Sequence, residues 1–122
     1  MNLIEREELR DKLERGDDFR LVMTLPGRAF AAKHIPTSLQ FETADELVEA
    51  LDPGEEIVVY CADVHCAASI YAYRRLERSG YGRVRRYAGG IADWEAAGYP
   101  LESAGEKRPP RSEQRRSWRL CA

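Results

Sequence analysis

Two cysteines and one histidine lie within a stretch of six residues, and their side chains are the ones in this sequence best suited to chemistry. Cys61 and Cys66 are separated by four residues, and His65 directly precedes the second cysteine. A thiolate is a strong nucleophile, and two thiols whose Cβ atoms converge can exchange through a disulfide. Cys66 is therefore a candidate resolving thiol for Cys61. The alternative is that it is a small, half-buried residue at the start of a helix.

The residues on either side of these cysteines predict a strand, a short loop and a helix. Residues 57–60 form an apolar, β-favouring run after Pro53-Gly54, which is typical of a buried central strand. From Ala67 onward, apolar positions alternate with arginines at a helical spacing, and we expect a helix over about 66–79. In such a unit the loop amides and the helix N-terminus converge on an anion, so the thiolate of Cys61 is favoured.

Cysteine and histidine side chains can also bind a metal ion, so a metal site is an alternative for these residues. The spacings of Cys61, Cys66, His65 and His34 match none of the usual patterns of structural zinc ligands. We therefore expect no metal. His34 is expected to make structural hydrogen bonds in its loop.

Length and composition limit the kinds of protein that this chain can be. The chain has 122 residues, of which 43% are hydrophobic and 33% charged, as in an ordinary globular domain. No apolar run approaches the ~20 residues of a membrane span, and the first residues do not resemble a signal peptide. We expect a cytoplasmic protein with no membrane partner. The odd number of cysteines, three, fits reactive thiols in a reducing compartment rather than a disulfide scaffold.

The charge is unevenly distributed along the chain. Residues 1–100 carry 13 basic and 18 acidic side chains, whereas residues 101–122 carry 6 basic and 3 acidic ones. The acidic body argues against a nucleic-acid-binding domain. The change in composition predicts a folded domain at 1–101 and a basic, flexible tail at 102–122. The alternative for the tail is that its end, 118–121, docks on the domain, and Cys121 is expected to be an incidental exposed thiol.

Strand and helix patterns alternate along the chain. Helices are predicted at 3–15, 28–32, 44–51, 66–79 and 91–97, and strands at 19–24, 38–41, 57–60 and 84–87. Thr43 and Glu46 match a capping box at the start of one helix. This alternation predicts an α/β fold with a mainly parallel central sheet flanked by helices on both faces. Arginines at 74, 75, 78, 83, 85 and 86 are expected to form mostly a solvated face, with the docking of an acidic carrier protein as the alternative.

Three segments resemble the single-domain rhodanese family. They are Tyr60-Cys61 at the end of the apolar strand, the segment His34-Ile35-Pro36, and residues 87–100, which read Tyr-Ala-Gly-Gly-Ile-Ala-Asp-Trp-Glu-Ala-Ala-Gly-Tyr-Pro. The resemblance covers roughly residues 3–101. It implies the rhodanese-like fold and a sulfurtransferase that needs no cofactor, in which Cys61 carries sulfane sulfur as a persulfide. A small-molecule or protein sulfur donor and a thiol acceptor would be the partners. The backbone amides of the active loop would bind the sulfur anion, and that loop comprises Ala62, Asp63, Val64, His65, Cys66 and Ala67.

This chain departs from the family pattern in the active loop and after the first strand. Val64 stands where the family has glycine, and Cys66 stands where it has arginine. An arginine there would bind an anionic donor such as thiosulfate in a bidentate manner, which a thiol cannot do. Residues 23–26 replace the Asp-x-Arg that is usual after the first strand. The resemblance therefore implies persulfide chemistry without specifying thiosulfate as the donor.

Two other functions remain open from the sequence. The lost glycine and arginine favour a catalytically silent rhodanese-like module that binds or regulates. The pair Cys61 and Cys66 favours a thiol-disulfide redox protein, in which an internal disulfide is reset by a reductant. We expect the protein to be a monomer or a weak homodimer.

Overall fold

The structure is a computed structural model that describes residues 1–103, and within them helices and strands alternate. The helices are α1 (Arg6–Arg15), α2 (Gly27–Ala32), α3 (Ala44–Ala50), α4 (Ala68–Arg78) and α5 (Gly90–Ala96). The strands are β1 (Arg20–Met23), β2 (Leu39–Gln40), β3 (Ile57–Tyr60) and β4 (Val84–Tyr87). The expected α/β alternation is confirmed.

The four strands form one parallel sheet in the order β2-β1-β3-β4. Strand β3 is central, and each of its residues is buried, which explains its uninterrupted apolar sequence. Val59 pairs with Val22 of β1 on one side and with Arg86 of β4 on the other. Because all strands run the same way, their carboxyl ends meet at one edge of the sheet.

Helices cover both faces of this sheet. On one face α1 and α5 pack on alternate strand residues, and the buried cluster there includes Leu9, Leu13, Leu21, Met23, Val58, Tyr60, Tyr87, Ile91 and Trp94. On the other face α3 and α4 pack on the intervening residues, and that cluster includes Val22, Leu47, Ile57, Val59, Ala72, Tyr73, Leu76 and Val84. Trp94 and Ile91 of α5 are buried in the first of these clusters.

Local signals in the sequence set several helix ends. Thr43 Oγ1 accepts a hydrogen bond from the Glu46 amide at 3.1 Å, so the capping oxygen of α3 is confirmed. Gly16 ends α1 with a φ of 72°, a left-handed conformation that suits glycine. Helix α4 begins at Ala68, two residues later than predicted, because Cys66 belongs to the preceding loop.

The end of β3 is tied to the segment at residues 34–38 through a buried phenol. The Ile35 amide donates to Tyr60 Oη at 3.0 Å, and Ser38 Oγ lies 2.6 Å from the same oxygen. His34 is also buried, stacks on Phe30 and has Nδ1 2.8 Å from the Phe30 carbonyl oxygen. The structural role predicted for His34 is therefore confirmed.

The described residues extend just past the predicted domain end. Glu102 pairs with His34 through two backbone hydrogen bonds, at 2.9 and 2.8 Å, directly after residue 101. The boundary between domain and tail stays a prediction, and the predictions for the tail, including those for Trp118 and Cys121, fall outside the described residues. None of the helices within residues 1–103 combines the length and hydrophobicity required to cross a bilayer.

Candidate functional site

Cys61 lies at the carboxyl end of the central strand, with its backbone held by α5. Its carbonyl oxygen accepts a hydrogen bond from the Ile91 amide at 3.0 Å, and the Ala62 carbonyl accepts one from Ala92 at 2.8 Å. Gly90 makes this close approach feasible, since a Cβ at that position would lie 2.3 Å from the Cys61 oxygen. Its φ of 63° is a second reason for glycine. Gly90 thus packs against the backbone of the cysteine, whereas a Cβ at Gly89 would meet the side chain of Asp93.

The structure joins Cys61 and Cys66 in a disulfide. Their Cα atoms are 6.2 Å apart, within the usual range for such a bond. Cys61 is only 1% exposed, and Cys66 is half-buried in the loop between β3 and α4. The two thiols singled out from the sequence are therefore brought together, and the side chain of Cys61 is inaccessible while they are joined.

The active loop, residues 62–67, carries hydrogen bonds of its own. The His65 amide donates to Asp63 Oδ1 at 2.9 Å, and the Cys66 amide donates to the Asp63 carbonyl at 3.2 Å. Two of the amides expected to face the sulfur are thus directed at Asp63 in this disulfide form. Helix α4 begins beyond Ala67, with no side-chain cap on its first amides. These amides give the helix start a positive electrostatic potential beside the loop.

Thr24 lies within residues 23–26, which replace the Asp-x-Arg segment of the family. Its amide and its hydroxyl both donate to the Tyr60 carbonyl, at 3.0 and 3.1 Å. Neutral hydrogen bonds therefore hold the end of β1 against the end of β3, one residue before the cysteine.

A cleft of about 230 Å³ opens on the α3/α4 face at this edge. It lies between the end of β1, the start of α3 and the first turn of α4, and its lining includes Thr24, Phe41, Leu47, Ala68 and Tyr71. Side chains alternate along a strand, so Cys61 is directed to the same face as Val59. Tyr71 of this lining is 62% exposed and Val64 of the active loop is 60% exposed, so two apolar side chains are accessible to solvent, while Glu42 adds a carboxylate to the lining.

One buried cation on the face of the sheet that carries Val59 was missed by sequence reasoning. Arg86 was grouped with arginines expected to be mostly solvated, but it is only 7% exposed. Its Nε donates to Ser69 Oγ at 2.8 Å, in the first turn of α4. The alternation of side chains along β4 could have predicted this burial. Val84 is buried on the α4 face, and Arg86, two residues later, must lie on that face as well.

A second polar cluster lies on the opposite face, next to the glycine pair. Tyr87 Oη donates to Asp93 Oδ2 at 2.5 Å, and Arg6 Nη1 lies 3.0 Å from Asp93 Oδ1. Burial, followed by the hydrogen bond to Asp93, raises the pKa of Tyr87 far above its usual value, so this phenol stays neutral. The cluster links α1, β4 and α5. Among residues 1–103, no three His, Cys, Asp or Glu side chains are arranged to hold a metal ion.

Comparisons with known proteins agree with this architecture. Residues 5–97 match the family model of the rhodanese-like domain. A curated relative, the HTH-type transcriptional regulator Rv0324 of Mycobacterium tuberculosis, is 33% identical over 102 residues, which cover 81% of this chain and 44% of the relative. The chain thus spans less than half the length of that protein.

Solved structures share the fold at lower identity. The rhodanese-like domain of the Anabaena protein Alr3790 superposes with a TM-score of 0.75 at 24% identity, covering 90% of this chain and 85% of that one. The human single-domain sulfurtransferase TSTD1 gives 0.66 at 24% identity, with coverages of 79% and 96%. A thiosulfate sulfurtransferase from Pseudomonas aeruginosa gives 0.73 at 20% identity, with 84% of this chain and 20% of that one. With its matched residues and its all-parallel sheet, this chain belongs to the rhodanese-like domain family.

Proposed function

We propose that this domain is a sulfurtransferase in which Cys61 carries sulfane sulfur as a persulfide and passes it to a thiol or another nucleophilic acceptor. The observation that carries the proposal is the position of Cys61, at the carboxyl end of the central parallel strand and bonded to a second cysteine of the same loop. Ligands of parallel α/β sheets bind at this edge.

Loading begins from the reduced enzyme. The Cys61 thiolate attacks the outer sulfur of a donor persulfide, R–S–SH. A bond forms between Cys61 Sγ and that sulfur, the S–S bond of the donor breaks, and the donor leaves as the thiolate R–S⁻. Transfer repeats this exchange with an acceptor thiolate, which takes the outer sulfur and regenerates the Cys61 thiolate.

Cys66 allows the Cys61 persulfide to react in a second way, without an acceptor. When no acceptor is bound, the Cys66 thiolate attacks Cys61 Sγ, the Cys61–Cys66 disulfide forms and the outer sulfur leaves as HS⁻. The two cysteines are oxidised and the sulfane sulfur is reduced, so the electrons balance. An external dithiol then reduces the disulfide and is itself oxidised to a disulfide. The Cα separation of 6.2 Å supports this role for Cys66.

The charges of the site favour a donor that is not strongly anionic. The loop carries the carboxylate of Asp63 and the imidazole of His65, with a thiol at the position of the family arginine. Nothing in the loop offers the bidentate cation that a thiosulfate dianion prefers. The exposed apolar side chains of Val64 in the loop and of Tyr71 in the cleft suit the organic group of a persulfide R–S–SH.

We further propose the setting in which this reaction takes place. A thiolate nucleophile and a dithiol reductant require a reducing compartment, so the cytoplasm is the proposed location. The proposed partners are a small-molecule or protein sulfur donor and a thiol acceptor, with neither nucleic acid nor membrane involved. The proposed state is a monomer or a weak homodimer.

The experiment that tests the function follows one sulfur atom. The reduced chain, freed of reductant, is treated with an organic persulfide and digested for mass spectrometry. We expect a gain of one sulfur atom on the Cys61 peptide and cyanide-dependent formation of thiocyanate. Cys61→Ser should lose both signals, and Cys66→Ser should accumulate the persulfide because its resolution is blocked. Thiocyanate formation that survives in Cys61→Ser would contradict the assignment of the nucleophile.

The disulfide also favours a second candidate function, a thiol-disulfide regulatory module without sulfur turnover. A relative that carries this domain is named as a transcriptional regulator, which gives the module a setting in which a redox signal would be useful. Mild oxidation of the reduced chain should then remove two hydrogens per molecule, as measured by intact mass, while persulfide loading and thiocyanate formation stay absent. Sulfur gain at Cys61 would exclude this second function as the sole one.

A further inference from the structure

Arg86 is a buried cation on the same face of the sheet as the candidate nucleophile. It is 7% exposed and lies beside Val59 in the register of β3 and β4. Its Nε donates to Ser69 Oγ, which is itself fully buried in the first turn of α4. A side chain that begins at the middle of β4 therefore extends to the N-terminal end of the helix that follows the active loop.

No acidic side chain within residues 1–103 lies within ion-pair distance of Arg86. The neighbouring arginines differ in this respect, since Arg85 Nη2 lies 2.8 Å from Glu8 and Arg83 Nη2 lies 3.5 Å from Glu56. At 7% exposure the Arg86 side chain has lost most of its water, and its Nε is bonded to a neutral hydroxyl rather than to a carboxylate, which stabilises the positive charge less well. Such a charge is expected where an anion forms during function.

The candidate anion is close by. Cys61 directly follows β3, two residues beyond Val59, and the alternation of the strand, continued by one residue, directs both side chains to the face that Arg86 shares. Neighbouring strands are about 5 Å apart and two residues advance about 7 Å, so a long side chain can span the diagonal between Arg86 and Cys61. The contact with Ser69, three residues after Cys66, shows that Arg86 extends toward this edge.

We propose that Arg86 is a positioning residue that supplies the fixed positive charge stabilising the anionic Cys61 sulfur once the disulfide is opened. This inference rests on the proposed function, in which Cys61 is the nucleophile. Arg86 thus provides, from β4, the positive charge that an arginine in the active loop provides in the family. Its hydrogen bond to Ser69 also holds the first turn of α4 in place.

The other charged groups near Cys61 do not duplicate this effect. The loop contributes Asp63, which opposes a thiolate, and the exposed His65. The strand β1 ends in the neutral Thr24, and residues 68–73 of α4 carry no charged side chain. On the α5 side, Asp93 is paired with Arg6 and Tyr87. Among residues 1–103, Arg86 is thus the buried cation on the face of the sheet that carries Val59.

The test is the pH dependence of Cys61 alkylation by iodoacetamide in the fully reduced chain, followed by mass spectrometry of the Cys61 peptide. Arg86→Gln should move the midpoint of the rate profile up by about one pH unit, since a nearby cation lowers a thiol pKa by this order. Below the midpoint, alkylation should slow about tenfold. Arg86→Lys, which keeps the charge, should restore most of the midpoint.

Matched variants separate charge from structure. Arg85→Gln, the neighbouring arginine on the opposite face, should leave the midpoint unchanged. Ser69→Ala should leave it nearly unchanged, because the charge remains. If Arg86→Gln does not fold, Arg86→Met replaces it, since an unbranched apolar side chain follows the same buried path.

The outcomes distinguish this inference from the proposed function. An unchanged midpoint in Arg86→Gln, or equal shifts in Arg86→Gln and Arg86→Lys, overturns the electrostatic role even if Cys61 still gains sulfur. Absence of sulfur gain at Cys61 together with a midpoint that depends on the Arg86 charge overturns the sulfurtransferase and leaves the electrostatic role in place.

Discussion

At the scale of single residues, the position of the Cys61 backbone depends on one glycine. Gly90 adopts a φ of 63° and lets the start of α5 contact the Cys61 carbonyl closely enough for two backbone hydrogen bonds to form. A glycine pair is visible in the sequence, but the atom that it must avoid belongs to a strand some thirty residues earlier. The sequence therefore predicted the motif without predicting its contact.

We predict that Gly90→Ala destabilises the protein by about 2–4 kcal/mol, since an L-residue resists a left-handed backbone and the added Cβ overlaps the Cys61 oxygen. Urea denaturation followed by circular dichroism measures the change. Gly54→Ala is the matched control, because a Cβ there meets no atom within 4 Å, and it should be close to neutral. Equal stabilities of the two variants would contradict the argument.

Arg86 shows why residue roles near the site were only partly predictable. Composition and spacing placed it in a basic cluster, and most arginines in such clusters are solvated. Its burial follows from the register of β4 against β3 and from the position of Ser69, which are long-range contacts. By contrast, Cys61 and Cys66 stood out from the sequence alone, because thiols near a predicted loop are few.

At the scale of elements, local signals predicted most of the helices and strands. The apolar run of β3 and the capping threonine of α3 are encoded within a few residues, so the structure matches them closely. The ends of elements that depend on tertiary packing differ: α1 begins at Arg6 rather than residue 3, and β2 is reduced to Leu39–Gln40. Leu3 instead forms a bridge to Arg86, which a helical pattern does not reveal.

The cap of α3 gives a prediction at this scale. Thr43→Ala should lower the free energy of unfolding by about 1 kcal/mol, because the Glu46 amide loses its acceptor. Thr43→Ser keeps the capping oxygen and should remain within a few tenths of a kcal/mol of the parent. Denaturant titration measures both variants. If the serine variant lost as much stability as the alanine variant, the hydrogen bond would not be the cause.

At the scale of the whole molecule, the sequence predicted a parallel sheet covered on both faces but gave no strand order. Alternation of strand and helix patterns is local information, whereas the order β2-β1-β3-β4 depends on which strands pair over long distances. That order places β3 at the centre and brings Thr24 and Arg86 to either side of the cysteine strand. The candidate site is thus a product of topology as much as of motif.

The stability of the reduced protein can be predicted at this scale. The disulfide closes a short loop, so chain entropy gives it a stabilising contribution of about 2 kcal/mol. The reduced chain should therefore stay folded while its free energy of unfolding falls by about that amount. Urea titrations with and without a dithiol measure the difference, and Cys66→Ser should match the reduced chain. A reduced chain that is unfolded without denaturant would contradict the prediction and the proposed catalytic cycle.

The bond between Cys61 and Cys66 imposes an order of encounter on any substrates of the oxidised protein. A sulfur donor that arrives first meets no nucleophile, because the Cys61 sulfur that would attack it is bonded to Cys66. In the proposed cycle a dithiol must come first, so we expect turnover from the oxidised state to begin with a lag that shortens as the dithiol concentration rises. The domain would thus respond to the thiol supply of its surroundings before it responds to sulfur.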